Sequence, residues 1–279
     1  MQTGALLMGQ TFLGRLQTAG ALRSLSAGLA LMLASAGGVA AQDGPRLDVI
    51  FVPTPMQVVD RMLELAEVKK GEFLIDLGSG DGRIPVTAAK KYGARGLGVD
   101  LDPDRIREAH ANVKKENVGD MVEIRQQNLF ETDITKADVI SMYLLTDLNL
   151  RLRPKLLELK PGTRLVSHAF SMGDWIPERK ETLAPRYDVY LWIVPAKVEG
   201  RWDVQRGEKQ FTVEFKQKYQ MLEGTAQVSG KTVPVRNGRL RGKDITFDVE
   251  VEGQSGTFRG EVDGGTIKGA AGWQAKRGG

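Results

Sequence analysis

Asp76-Leu77-Gly78-Ser79-Gly80-Asp81-Gly82-Arg83 lies between two runs of different periodicity. Phe73-Leu74-Ile75 reads as a buried strand entering it, and Ile84 to Tyr92 reads as a helix leaving it. The stretch is therefore the turn of a strand–turn–helix unit. Three glycines at alternate positions permit positive φ and let a ligand come close to the backbone, because no Cβ stands in the way. A nucleotide-like cofactor is the natural occupant of such a turn.

The spacing is G-x-G-x-G and not the G-x-G-x-x-G of dinucleotide-binding folds. Asp100 follows Gly82 by 18 residues and closes the next strand-like run, Gly96-Leu97-Gly98-Val99. A carboxylate there suits acceptance of both ribose hydroxyls. A tight turn needs glycine on steric grounds alone, so it is Asp100 that tips the reading towards a bound cofactor.

Outward from this unit, strand-like and helix-like runs alternate: Pro103–Glu116, Met121–Gln126, Ala137–Ser141, Leu148–Leu159 and Thr163–Ser167. Ahead of it, Phe51-Val52-Pro53-Thr54-Pro55 is a stiff lead-in to a helix over Met56 to Val68. Such alternation predicts an α/β fold with a parallel sheet wrapped by helices. Tyr187–Val194 reads as a last apolar strand, paired with a neighbour near Thr182 by a reversal at Pro185.

Past Pro195 the pattern changes. Residues 198–279 hold 15 glycines and short alternating runs such as Phe211-Thr212-Val213-Glu214-Phe215, separated by turn signals that include Asn237-Gly238. This predicts a small antiparallel all-β domain over 198–279, after an α/β domain over 42–197. An apolar-x-Gly unit recurs at Leu222/Gly224, Leu240/Gly242, Phe258/Gly260 and Ile267/Gly269. The sheet could curl into a ligand-holding barrel, but bends between strands explain the glycines more simply.

The first 41 residues contain no acidic residue, carry Arg15 and Arg23, and run from Leu25 to Ala34 through an apolar stretch before Val39-Ala40-Ala41. That is the pattern of a secretory signal peptide over 1–41, cleaved before Gln42. Its apolar core is short for a membrane span, which needs about 20 residues. The expectation is a periplasmic or secreted protein with no stable membrane span after cleavage; a cytoplasmic or membrane-anchored protein is the alternative.

With 0 cysteines there is no disulfide, thiolate metal site or thiol nucleophile, and 2 histidines exclude a histidine-rich metal centre, so no metal is expected. Residues 42–197 carry 23 Lys/Arg against 24 Asp/Glu, and residues 198–279 carry 14 against 11. Neither segment reads as a nucleic-acid clamp.

These residues resemble the class I (seven-strand) S-adenosylmethionine-dependent methyltransferases, through Asp76–Arg83, Asp100 and Gln127-Asn128-Leu129-Phe130. Val52-Pro53-Thr54-Pro55, Met142-Tyr143-Leu144-Leu145-Thr146-Asp147-Leu148-Asn149 and Lys160-Pro161-Gly162-Thr163-Arg164-Leu165-Val166-Ser167-His168 narrow the resemblance, over about residues 48–195, to the archaeal and mitochondrial protein-lysine methyltransferases. The resemblance implies a Rossmann-like seven-stranded sheet with helices on both faces and S-adenosyl-L-methionine as cofactor. It places Asp76, Gly78 and Gly80 around the methionine part, Asp100 on the ribose and Asn128 near the adenine; Gly82 of the same turn is a further cofactor-binding candidate. Asn128 reads equally well as a turn residue after a strand.

Methyl transfer is an in-line displacement at a sulfonium carbon, so alignment and exclusion of water are what a protein contributes. The channel candidates are Thr54 and Pro55 in the lead-in, Tyr143 and Asn149 after the fourth strand, and His168 after the fifth, all at the carboxyl ends of strands. Tyr143 would face the accepting amine and His168 would take a hydrogen bond or proton; simple packing is the competing reading of each. Asp147 suits a helix cap better than a substrate contact. Trp175 either lines the substrate entrance or anchors the surface.

The expected activity is methyl transfer to a protein lysine. A methyltransferase of a small molecule or envelope component, and an exported binding protein on a retained scaffold, are the alternatives.

Overall fold

A computed structural model describes residues 51–278, so the expected leader at 1–41 lies outside the described residues. The described residues open with α1 (Met56–Leu65), then β1 (Phe73–Leu77), α2 (Arg83–Tyr92), β2 (Arg95–Asp100), α3 (Pro103–Lys115), β3 (Val122–Gln126), β4 (Val139–Met142), α4 (Thr146–Leu156), β5 (Arg164–His168), β6 (Arg179–Leu183) and β7 (Tyr187–Ile193). The seven strands form one sheet in the order β3-β2-β1-β4-β5-β7-β6. The first five strands run parallel, and β7 is antiparallel to both β5 and β6.

The apolar runs are continuous because both faces of the sheet are covered. In β1, Ile75 and Leu77 enter a core with Leu148, Leu152 and Leu156 of α4, while Leu74 enters the opposite core with Val58, Met62 and Leu63 of α1. On that second face, Val86 and Ala89 of α2 also meet Ala109 and Val113 of α3. Helices thus cover both faces, as the resemblance implied.

Beyond β7 come β8 (Gly200–Arg206), β9 (Lys209–Lys218), β10 (Met221–Val228), β11 (Lys231–Arg241), β12 (Asp244–Val251), β13 (Gln254–Asp263), β14 (Thr266–Gly269) and β15 (Trp273–Arg277). They close into an antiparallel barrel in the order β10-β11-β12-β13-β14-β15-β8-β9. Eight strands leave room for little more than side chains. Here the interior is filled by Trp202, Phe211, Phe215, Phe247, Phe258 and Trp273, with Phe247 and Phe258 stacked at 5.1 Å between ring centres. The barrel forms, but as a packed core and not as a ligand lumen. Gly269 serves close packing, because a Cβ there would enter the Trp273 ring.

Asn237-Gly238, expected at a turn, lies inside β11. The register against β12 shifts between Arg236 and Arg239, which is a bulge, and Asn237 sits at φ 51 with its amide donating to Asp248 Oδ2 at 2.7 Å. A bulge and a turn both draw on the left-handed region, so the dipeptide alone does not separate them. No helix among the described residues is long and apolar enough to cross a membrane.

Candidate active site

The parallel strands end at one edge of the sheet, and the loops after β1, β2, β3, β4 and β5 surround a cavity of about 210 Å³ there. Its wall includes Asp76, Gly78, Ser79 and Asp81 from the glycine turn, Asp100, Leu101 and Asp102 after β2, and Gln127 and Leu129 after β3. Tyr143, Leu144, Leu145, Leu148 and Phe170 supply an apolar side, and Phe51, Val52 and Thr54 cross it from the lead-in.

The turn uses its glycines conformationally: Gly78, Gly80 and Gly82 have φ of 77, 53 and 73. A Cβ on Gly78 would sit 3.0 Å from Leu144 Cδ2, and one on Gly80 would enter the ring of Phe51. The open side of Gly80 is therefore faced by Phe51, whose ring also lies 4.7 Å from the Arg105 guanidinium. Arg83 locks this arrangement. It pairs with Asp81 through Nε at 2.9 Å and donates through Nη1 to the Thr54 carbonyl at 2.8 Å, tying the lead-in to the turn.

Asp76 is 2% exposed and accepts the Ser141 hydroxyl at 2.7 Å. Burial pushes its carboxyl up to about 7, against the opposing pull of the Ser141 hydrogen bond, with the Asp100 and Asp81 charges adding to the rise. Asp100 faces the turn: Oδ2 accepts Gly80 N–H at 2.8 Å and Oδ1 accepts Asp102 N–H at 3.0 Å. Each carboxylate oxygen has a second acceptor site, so these bonds leave capacity for hydroxyl donors.

Several expected site residues stand elsewhere. Asn128 is absent from the cavity wall; its side chain closes a local turn, accepting Phe130 N–H at 3.0 Å and donating to Glu131 at 3.2 Å. Its neighbours Gln127 and Leu129 face the cavity instead. His168 is 2% exposed and sits behind Tyr143, ring centres 3.9 Å apart, with Nδ1 3.3 Å from Thr54 Oγ1. Burial lowers its pKa to about 4, which keeps the ring neutral at physiological pH and unsuited to taking a proton from an amine.

Pro55 is the residue before α1, its carbonyl accepting Val58 and Val59 N–H. Asn149 is fully buried; Nδ2 donates to the Phe170 and Ser171 carbonyls at 3.3 Å each, and Oδ1 has no partner among the described residues. Trp175 is 1% exposed and stacks on Tyr219 at 5.7 Å, so it packs sheet against barrel and lines no entrance. Asp147 lies in the first turn of α4, which starts after Leu145 without a side-chain cap.

Sequence reasoning missed Ser79, Phe51, Arg83, Ser141 and Phe170. Ser79 and Arg83 lay inside the quoted motif, and Phe51 opened the quoted lead-in. Ser141 and Phe170 carried no signal beyond their nearness to strand ends.

A glycine turn with an acid in the strand before it, a second acid closing the next strand and an apolar far wall define an α/β transferase site for a nucleoside-bearing cofactor. Residues 76–179 match the ANTKMT methyltransferase domain. A protein-lysine N-methyltransferase of Saccharolobus islandicus (strain REY15A) is 46% identical over 151 residues, covering 52% of this chain and 94% of that protein. A lysine N-methyltransferase of Homo sapiens that is named for an ATP synthase component is 26% identical over 129 residues, covering 46% of this chain and 54% of that one. A crystal structure of an RNA methyltransferase from Salinibacter ruber with S-adenosyl-L-homocysteine has 52% identity and a TM-score of 0.51, covering 53% of this chain and 96% of that chain.

The chain belongs to the class I S-adenosylmethionine-dependent methyltransferases, in the family represented by the Saccharolobus islandicus enzyme. S-adenosylmethionine is its cofactor. The site fits that molecule: among the described residues Ser79 Oγ is buried on the cavity wall without a partner and only one Asp76 oxygen accepts a hydrogen bond, and Asp100 is turned towards the glycines.

Proposed function

We propose that the protein transfers a methyl group to the ε-amine of a lysine in a protein acceptor. The observation that carries this reading is the wall of Tyr143, Leu144, Leu145, Leu148 and Phe170 facing the acidic glycine turn across one cavity. A lysine amine with a free pKa near 10.4 costs roughly 4–5 kcal/mol to neutralise at pH 7. An apolar, water-poor wall penalises the ammonium form and lowers that cost. The name of the Saccharolobus islandicus relative supports the same acceptor class.

In this reading Asp76 would hold the cofactor's ammonium group, Ser79 its carboxylate and Asp100 its ribose hydroxyls, while Gln127 and Leu129 would border the base. The bound cofactor supplies an electrophilic methyl on a sulfonium. Tyr143 and Phe170 align the incoming amine with it and keep water out. His168 acts from behind, holding the Tyr143 ring and the Thr54 hydroxyl in place. Val52 and Leu145, 56% and 47% exposed, form an apolar lip for the residues beside the target lysine.

Export by the leader at 1–41 belongs to this proposal, and a mature N-terminus at Gln42 would support it. The test of the reaction is incubation with methyl-labelled cofactor and a panel of polypeptides, small amines, envelope extract and RNA. Label on polypeptide lysine is expected. Label confined to RNA, as the name of the Salinibacter ruber protein would suggest, or confined to a small molecule, overturns the lysine reading.

A further inference from the structure

The barrel has no part in the chemistry above, and every residue of the cavity wall precedes residue 171. Even so, its β9–β10 hairpin grips the loop that carries Phe170. From β5 the chain enters this loop through Ala169 at φ 63, a conformation that a non-glycine residue adopts only when its surroundings impose it. Near the cavity, Ser167 Oγ donates to the Phe170 carbonyl at 2.8 Å, beside the Asn149 amide.

At the other end the holding groups come from the barrel. The Tyr219 hydroxyl donates to Asp174 Oδ1 at 2.9 Å, Lys218 Nζ lies 3.0 Å from Asp174 Oδ2, and Gln220 Nε2 donates to the Ile176 carbonyl at 2.7 Å. The Tyr219 ring stacks on Trp175 at 17°. Gln220 is 2% exposed, and its own carbonyl accepts Leu240 N–H at 2.7 Å, so this contact is set into the barrel wall.

The grip extends to α4. Arg153 donates to the Met172 carbonyl at 2.8 Å and to Asp174 at 2.7 Å, and its guanidinium lies 5.4 Å from the Tyr219 ring centre. Arg153 and Asn149 are one turn apart on α4, and both reach into the loop. The N-terminal end of the same helix brings Leu145, the residue before it, and Leu148, in its first turn, to the cavity. Hairpin, loop and helix are thus one connected body behind the apolar wall, whereas Asp76 on β1, Gly78 in the turn after it and Asp100 on β2 stand outside it.

We propose that the barrel is a brace for the acceptor side of the active site, with Tyr219 and Gln220 as positioning residues that hold Phe170, Leu145 and Leu148 around the incoming amine. The inference rests on the acceptor reading of that wall. It predicts a split effect: loosening the hairpin degrades handling of the acceptor and leaves cofactor binding intact.

The test compares Tyr219→Ala/Gln220→Ala with Tyr219→Phe, which keeps the ring stack and loses only the hydroxyl. Far-UV circular dichroism and thermal unfolding establish that each variant is folded. Amide hydrogen exchange needs no acceptor, so it reads the brace even if the lysine reading fails. Exchange across residues 169–176 is expected to rise in the double variant, with the β1 and β2 amides unchanged. Acceptor KM is expected to rise about fivefold or more in the double variant, the scale of one lost hydrogen bond, and less in Tyr219→Phe. S-adenosyl-L-homocysteine affinity stays within about twofold of wild type. Unchanged exchange at 169–176, unchanged acceptor KM in a folded double variant, or loss of cofactor affinity in step with KM each overturns the proposal.

Discussion

The Asp76 carboxyl makes cofactor affinity depend on pH in a way that can be worked out from the structure. Its pKa is raised to about 7 because the group is buried beneath the glycine turn, with one hydrogen bond from Ser141 partly offsetting the desolvation. The cofactor's ammonium group requires the ionised form. Binding at low pH must therefore displace a proton, and the apparent Kd rises in proportion to the fraction of Asp76 that is protonated. With a midpoint near 7, about nine-tenths of the sites are ionised at pH 8 and about one-tenth at pH 6, so affinity falls about tenfold, or roughly 1.4 kcal/mol, across that interval. Calorimetric titration of S-adenosyl-L-homocysteine from pH 5.5 to 8.5 measures it. Asp76→Asn should bind weakly with the slope gone, and Ser141→Ala, which removes the bond favouring the charged form, should move the midpoint upward. A Kd flat between pH 6 and 8, or an Asn variant that keeps the slope, would refute the reasoning.

The same carboxyl affects stability with the sign of a raised acid. The folded state holds the proton more tightly than the unfolded chain, so stability is lost as pH rises from about 4 towards 7; at pH 8 the unliganded Asp76→Asn protein should be more stable in urea by up to about 4 kcal/mol. His168, lowered to about 4, should contribute no limb to the rate profile above pH 5; His168→Gln should lower kcat by misplacing Tyr143 without shifting that profile, and a lost limb near 6 would assign the ring a proton after all. Phe247→Ala removes a fully buried ring from among Phe215, Phe258 and Trp273 and should cost about 3–5 kcal/mol in a urea titration. A lip variant, Leu145→Asp, should raise acceptor KM while leaving S-adenosyl-L-homocysteine affinity unchanged.

The α/β half was legible because its strands are buried on both faces and its turns carry glycine at fixed places. Phe73-Leu74-Ile75 could be read as a strand from its apolar run, and the turn after it from its glycines; the strand runs on to Leu77. Barrel closure was less accessible: it depends on β15 returning to β8, with Arg277 opposite Trp202, a pairing of distant segments that no local pattern encodes. Within the site, the residue types at strand ends were evident but their directions were not. Register puts Gln127 and Leu129 at the cavity and leaves Asn128 to its turn, a difference of one position. His168 and Trp175 carried reactive or amphipathic side chains at plausible places, and tertiary packing buried both. Phe51 over Gly80 was invisible because the two are 29 positions apart and meet only when Arg83 draws the lead-in onto the turn.

The central claim is that the turn Asp76–Gly82 holds the adenosyl cofactor. A crystal structure of the protein saturated with S-adenosyl-L-homocysteine tests it most directly. The account predicts the ligand's amine within hydrogen-bond reach of Asp76, its ribose hydroxyls on Asp100, and the Phe51 ring packed on the ligand in place of Gly80. A ligand bound elsewhere, or Phe51 still seated on Gly80 with the cavity empty at saturation, would contradict it.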